Sequence, residues 1–278
     1  MQYGFIIEGG DVPTIVELTE QAEEAGWDGV FIADALAMET KSFPAAPWFD
    51  PLVALSVMAM RTKRVRIGTI ITPVSRRRPW KLAREAVTLD HLSNGRLTLG
   101  VGLGAAEHDG GFYKVGEAMD LKVRAQLMDE GLEIMAGLWS GKPFSFAGEH
   151  YKVDQMTMLP EPVQAPRIPV WVVGVWPKEK SLNRTLRWDG IIPQKFRTMS
   201  RMTPAEVREL KQYVEERREQ SGPFDILAGG ETPGNKPAEA AKRVRPFEKA
   251  GATWWLESRM STIKKVRERI KQGPPRVE

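Results

Sequence analysis

The stretch Arg76–Ala105, RRRPWKLAREAVTLDHLSNGRLTLGVGLGA, reads as a helix, a turn, a strand and a glycine-rich end. Pro79 suits a first helical turn, where its missing N–H costs nothing. Leu82, Ala86, Leu89 and Leu92 recur at three- and four-residue spacing and form one apolar stripe. Ser93-Asn94-Gly95 ends the helix, since Asn94 and Gly95 both tolerate a left-handed backbone. In the strand that follows, Leu97, Leu99, Val101 and Leu103 alternate with small residues. A face of small residues accommodates either a closely approaching cofactor or tight packing inside a barrel. The local pattern leaves both open.

The same strand-then-helix unit repeats on either side. Upstream, Tyr3–Ile7, Gly29–Ala33 and Val65–Ile71 read as short buried strands. Helices from Pro13 to Ala25 and from Asp50-Pro51 to Arg61 separate them, the second opened by an N-cap and first-turn pair. Downstream, strands are predicted at Ile168–Val173, Asp189–Pro193, Phe224–Ala228 and Gly251–Leu256. Gly174-Val-Trp-Pro177 reads as a tight turn into a helix over 178–188. Further helices follow Thr203-Pro204, Pro237 and Leu256. Unbroken βα alternation implies a parallel sheet with right-handed crossovers. Eight such units predict an α/β fold closed into a (β/α)₈ TIM barrel, one domain over 1–278. An insertion at about 105–167 separates strands four and five.

Composition narrows the chemistry. The 278 residues slightly exceed the roughly 250 of a typical barrel of this kind. The absence of cysteine excludes disulfides, thiolate metal sites and cysteine nucleophiles. No secretory or long apolar segment is present, which predicts a soluble, cytoplasmic protein without a membrane contact. The net charge is +4, with basic runs at Arg76–Arg78 and Lys264–Lys271. These runs lack interleaved aromatics and any binding motif, so nucleic acid is not an expected partner.

Active sites of such barrels lie at the C-terminal ends of the strands. That places Glu8, Asp34, Thr72, Gly104, Gly174–Trp176, Gln194, Lys195, Glu231, Glu257 and Arg259 at the predicted mouth. Asp34 and His108 are the candidate acid–base residues, although Asp34 with Glu257 also fits a cofactor-free hydrolase. No H-E-x-x-H spacing for a metal and no G-x-S-x-G elbow occur. Without an evident acid–base–nucleophile set, the chemistry points to a cofactor.

Several segments, in order, resemble the bacterial-luciferase-like family of flavin- or deazaflavin-dependent oxidoreductases. They are Phe31-Ile-Ala-Asp34, Ile67-Gly-Thr69, Arg78-Pro-Trp-Lys-Leu-Ala-Arg-Glu85, Leu89-Asp-His-Leu-Ser-Asn-Gly-Arg-Leu97 and Gly100-Val-Gly-Leu-Gly104. Pro169-Val-Trp-Val-Val-Gly174 and Trp188-Asp-Gly190 continue the match. The resemblance implies a monooxygenase using reduced FMN and O₂ on a small organic substrate. The alternative it implies is a deazaflavin (F-420 type) enzyme exchanging hydride, whose anionic tail Arg76–Arg78 would suit. It also implies a ring supported by a non-proline cis peptide at Ile71-Thr72, with room beside it at Gly102 and Gly104. Gly174, Val175 and Trp176 would meet the cofactor phosphate. The chain departs from the family pattern at Ala35, where many members have histidine, and at Val175-Trp176-Pro177. A homodimer through the 50–61 and 79–92 helices is expected, using part of Leu55, Val57, Met58 and Met60. The insertion hairpin at Phe144–Val153 is expected to fold over the mouth as a lid.

Overall fold

The computed structural model describes residues 1–38, 47–198, 200–258 and 261–277. Its first half comprises β1 (Gln2–Ile7), α1 (Val12–Glu24), β2 (Gly29–Ile32), α2 (Pro51–Arg61), β3 (Arg66–Pro73), α3 (Pro79–Ser93) and β4 (Leu97–Gly102). Then come α4 (Gly110–Tyr113), α5 (Leu121–Trp139) and a hairpin of β5 (Phe144–Ala147) and β6 (Lys152–Met156). The chain returns through β7 (Val170–Trp176), α6 (Glu179–Thr185), β8 (Gly190–Lys195) and α7 (Pro204–Arg217). It ends with β9 (Asp225–Gly230), α8 (Pro237–Ala250), β10 (Trp254–Ser258) and α9 (Ile263–Lys271).

Strands β1-β2-β3-β4-β7-β8-β9-β10 close into a parallel barrel, with β10 paired back to β1. This is the (β/α)₈ architecture that the alternation predicted. Side chains alternate between two cores, as the period of a strand requires. Outward-facing residues such as Phe5, Val30, Leu99 and Val172 join the helices in the main core. Inward-facing Phe31, Trp171, Leu227, Trp254 and Leu256 fill the barrel itself. The rings of Phe31, Trp171 and Trp254 meet at centroid distances of 5.1, 5.2 and 5.8 Å. Such aromatic contacts add about 0.5–1.5 kcal/mol each beyond their buried area. Here tryptophan fills the core.

The turn after α3 has a clear local cause. Asn94 takes φ 53° and Gly95 φ 77°, the left-handed values that end a helix. Arg96 then spreads its guanidinium over the carbonyls of Ala59, Thr62, Val65 and Ser93, capping α2 and α3 together. Asp90, buried in α3, accepts the backbone N–H groups of Val163 and Gln164 and so anchors the far end of the insertion.

That insertion does not cover the mouth. The hairpin packs on the outer surface of α3 and α5: Tyr151 lies edge-on to Trp80 at 6.0 Å, and Glu130 of α5 accepts the N–H groups of Glu149 and Tyr151. Beyond it, Arg84 donates to Leu159 O and His91 Nε2 lies 2.8 Å from Glu161 O, so the chain descends along α3. The expected lid is therefore an external brace. Its Tyr151 and Val153 are apolar residues buried against helices, which is what the hairpin alternation had encoded. Replacing 144–151 by a glycine-serine linker should lower the Tm in a thermal melt while cofactor affinity stays unchanged. A shift in affinity without a shift in Tm would restore the lid.

Candidate active site

The barrel mouth is an apolar cup. A 170 Å³ cavity there is floored by Ile6, Ile70, Ile192, Leu227 and Leu256, with Arg201, Met202 and Ser258 on its rim. One wall is β3 against β4. Between Thr69 and Thr72 the pairing register shifts, and the Ile70–Ile71 peptide is cis. The resemblance put that bond one residue later, at Ile71-Thr72. Thr72 itself is fully buried, and among the described residues its hydroxyl has no hydrogen-bond partner.

The glycines of this wall differ in purpose. A Cβ on Gly68 would meet Thr98 O, and one on Gly100 would meet Thr69 O, so both are required by the close approach of two backbones. A Cβ on Gly102 would meet only side-chain ends, Ile71 Cδ1 at 2.9 Å and Val173 Cγ2 at 3.0 Å. Gly104 has φ +75° and faces the Phe112 ring and Pro73, so its space is filled by the loop and not left for a ligand. Neither of the two glycines expected beside a ring leaves open space, but at Gly102 a larger residue would push the Ile71 and Val173 side chains rather than backbone. Gly102→Val should keep the fold by circular dichroism yet weaken cofactor binding about tenfold, as overpacking of about 1–3 kcal/mol implies. Unchanged affinity in a fluorescence titration would remove this wall from the site.

Asp34 does not face the cup. Each of its oxygens takes one guanidinium: Arg76 Nη2 at 2.9 Å and Arg77 Nε at 2.9 Å. Arg76 also pairs with Asp109, and Arg77 with Asp50 at 3.1 Å. Asp109 further accepts the N–H groups of Leu36 and Ala37. These charges tie together the loops that follow β2, β3 and β4. Asp34 is thus a clamp, and Arg76 and Arg77 are not open to an anionic tail; Arg78 alone of that run is exposed.

His108 is exposed in the loop after β4, its N–H donated to Ala105 O. Glu257 points outward, alternating with inward Trp254, Leu256 and Ser258. It accepts Thr232 N–H at 2.6 Å and pairs with buried Arg269 at 3.2 Å. The paired-carboxylate arrangement of Asp34 with Glu257 is therefore not formed. Arg259 lies outside the described residues.

Gly174-Val175-Trp176 is a strand and not a turn, paired with Pro193-Gln194-Lys195. Gly174 faces the helices, where a Cβ would meet Ile191 and Thr185. The Val175 N–H is already donated to Ser181 Oγ at 3.0 Å, and Trp176 packs edge-on to Tyr213. Basic side chains stand beside this corner instead. Lys178 lies 4.0 Å from the Phe196 ring centroid and Arg197 4.9 Å from it.

Glu8 stands just past the end of β1, exposed at the rim within electrostatic reach of Arg201 and Glu231. Desolvation there raises the Glu8 pKa; Arg201 pulls it down and Glu231 pushes it up. Arg201 donates to Ser258 Oγ at 3.1 Å. The sequence places Glu8 and Glu231 at the mouth, whereas Arg201 and Ser258 are rim residues that the structure adds. Counting by twos from Trp254 reaches Ser258; Arg201 lies in an irregular loop and carries no such signal. Among the described residues no group of three or more His, Asp or Glu side chains is arranged to hold a metal.

A closed parallel barrel with an apolar cup and a charged rim at the C-terminal ends of its strands defines a (β/α)₈ protein of the TIM-barrel class. The family model of luciferase-like monooxygenases matches residues 4–273, and the chain belongs to that family. It is 32% identical over 164 residues to the F420-dependent glucose-6-phosphate dehydrogenase of Amycolatopsis mediterranei (strain U-32), covering 59% of this chain and 48% of that one. It is 31% identical over 160 residues to the oxygenase component of flavin-dependent trigonelline monooxygenase from Acinetobacter baylyi (strain ATCC 33305 / BD413 / ADP1), covering 58% and 42%. The alignments thus span about half the length of these relatives or less. The structure of an F420-dependent secondary alcohol dehydrogenase in complex with an F420-acetone adduct superposes with TM-score 0.78 at 17% identity, over 99% of this chain and 98% of that one.

Proposed function

We propose that this protein is an oxidoreductase holding a flavin or deazaflavin ring across the barrel mouth. The observation that carries the reading is the apolar cup set between the Gly102 wall and the Glu8–Arg201 rim. A flat, largely apolar ring fits a floor of isoleucine and leucine. The bound cofactor supplies the redox chemistry: oxygen activation with reduced FMN, or hydride exchange with the deazaflavin.

The chain's own residues supply the rest. The cup excludes water, Glu8 exchanges a proton with the substrate, and Arg201 orients a polar group on it. Lys178 and Arg197, more than Gly174 or Val175, are placed to meet the cofactor's phosphate. An FMN-dependent monooxygenase acting with O₂ on a small organic substrate remains the first reading. The deazaflavin reading is favoured by the basic residues at 178, 197 and 201, which suit a longer anionic tail, and by the F420-dependent relative. Side-by-side titration with FMN and F420 decides between them. Binding of neither would sink both.

A cytoplasmic homodimer completes the proposal. Leu55 and Met58 are fully buried against the barrel, but Val53, Val57 and Met60 form an exposed stripe on α2, at 64%, 40% and 67%. Such a stripe at helical spacing suits a second copy of the same helix. Met60→Lys with Val57→Glu should shift the light-scattering mass from dimer to monomer. A monomeric parent protein at micromolar concentration would end this part of the proposal. No helix among the described residues is long and apolar enough to cross a membrane.

A further inference from the structure

The opposite end of the barrel holds a larger cavity, of 660 Å³, which the mouth chemistry does not use. It is lined by the N-terminal ends of the strands, with Gln2, Thr98, Asp225 and Trp254 among them, and by the loops at 165–167 and 218–223. Its volume falls in the range of small-molecule sites.

Three arginines stand around it: Arg66, Arg167 and Arg218. Arg66 donates to Thr98 Oγ1, Leu97 O and Gln164 Oε1. Arg218 donates to the carbonyls of Gln220, Gly222 and Trp188. Among the described residues neither forms an ion pair with a carboxylate. Arg167 does, with Asp189 at 3.0 Å, and its guanidinium stacks over Trp188 at 5.2 Å. Arg167 and Arg218 therefore flank the same Trp188–Asp189 corner. The Nε–H of each is buried and has no acceptor.

Two of the cavity's carboxylates are in the reverse condition, and the third, Glu219, is exposed at its edge. Asp189 accepts from Arg167 and from Val170 N–H. Asp225 accepts from Trp171 Nε1 at 3.0 Å and Thr253 Oγ1 at 2.8 Å. The Asp189 and Asp225 oxygens are thus engaged, whereas among the described residues the Nε–H groups of Arg167 and Arg218 are not. A buried donor without a partner is costly, and guanidinium groups match oxyanions with paired donors.

We infer that this cavity is a second ligand site, which takes the phosphate group of a small metabolite between Arg167 and Arg218, with Arg66 across from it. Pro166, Pro169 and Pro223 of its lining give the remainder of such a molecule an apolar surface. Bound there, it bridges the 218–223 loop to the returning end of the insertion, remote from the mouth. The inference is independent of which cofactor the mouth holds.

The test uses the protein loaded with whichever cofactor it binds, so that the mouth is filled, and inorganic phosphate as the probe. Phosphate should raise the Tm by about 3 °C at ten times its dissociation constant and further with the logarithm of its concentration. Hydrogen exchange should slow at 165–169 and 218–225. Arg167→Gln with Arg218→Gln should abolish both effects and leave the cofactor bound. Should that variant fail to fold, the exchange map of the parent protein decides alone. Protection confined to 174–178 and 195–201, or no rise in Tm with phosphate, overturns the site. Equal protection by succinate overturns its assignment to phosphate.

Discussion

Arg76→Ala is expected to lower stability by about 3–5 kcal/mol, because it leaves buried Asp109 without its cation and buried Asp34 with only one of its two. The side chains of Arg76, Asp34 and Asp109 are only 9%, 2% and 3% exposed, so water does not replace the lost partner. In a urea titration followed by tryptophan fluorescence the midpoint should fall with little change in slope. The corresponding fall in Tm is about 10 °C. Arg76→Lys should recover part of the loss, since it keeps the charge but not the two-sided fork that reaches both aspartates. Asp50→Asn is the control. Asp50 is 46% exposed in its pair with Arg77, and asparagine still caps α2, so a loss within about 1 kcal/mol is expected. A similarly small loss for Arg76→Ala would mean that solvent enters the cluster. The loops after β2, β3 and β4 would then owe their positions to something else.

The barrel was legible because burial leaves a periodic mark. Alternating strands, first-turn prolines at Pro51, Pro79 and Pro237, and the Asn94-Gly95 ending each have a local physical cause. The site was less legible, and its failures share a reason. Asp34 and Glu257 lie at strand ends, but a strand end has two faces, and both carboxylates sit on the outer one with buried arginines. Reading the alternation onward from Trp254 and Leu256 separates Glu257 from Ser258. No comparable rule separates Arg76 from a solvated basic run, because its partners Asp34 and Asp109 are 42 and 33 residues away. Gly174 was misread for a related reason: β7 continues past Val173, so a supposed turn is a strand with its own parity. The hairpin's alternation truthfully reported a buried face but not which surface buries it.

Glu8→Gln is expected to lower kcat by about 10²–10⁴-fold, the usual contribution of a positioned acid–base group, while leaving cofactor affinity nearly unchanged. Glutamine keeps the size and hydrogen-bonding reach of the side chain but neither gains nor loses a proton near neutral pH. Desolvation at the rim raises the Glu8 pKa, and Glu231 adds to the rise against the pull of Arg201. As a proton acceptor Glu8 works only when ionised. The acidic limb of the kcat/KM profile should therefore lie above the ordinary glutamate range and vanish in the variant. The linkage to stability has the opposite sign. With its folded pKa raised, Glu8 contributes stability that is fully present below the unfolded pKa and is lost as the pH rises through the folded value. At neutral pH the variant should then melt no lower than the parent, which separates a catalytic loss from a folding defect. Arg201→Ala should move the limb further toward high pH, because it removes the one cation that opposes the shift. If Glu8→Gln turns over normally, or if its acidic limb stays where the parent has it, the proton passes through another group on the rim, with Glu231 the next to be replaced.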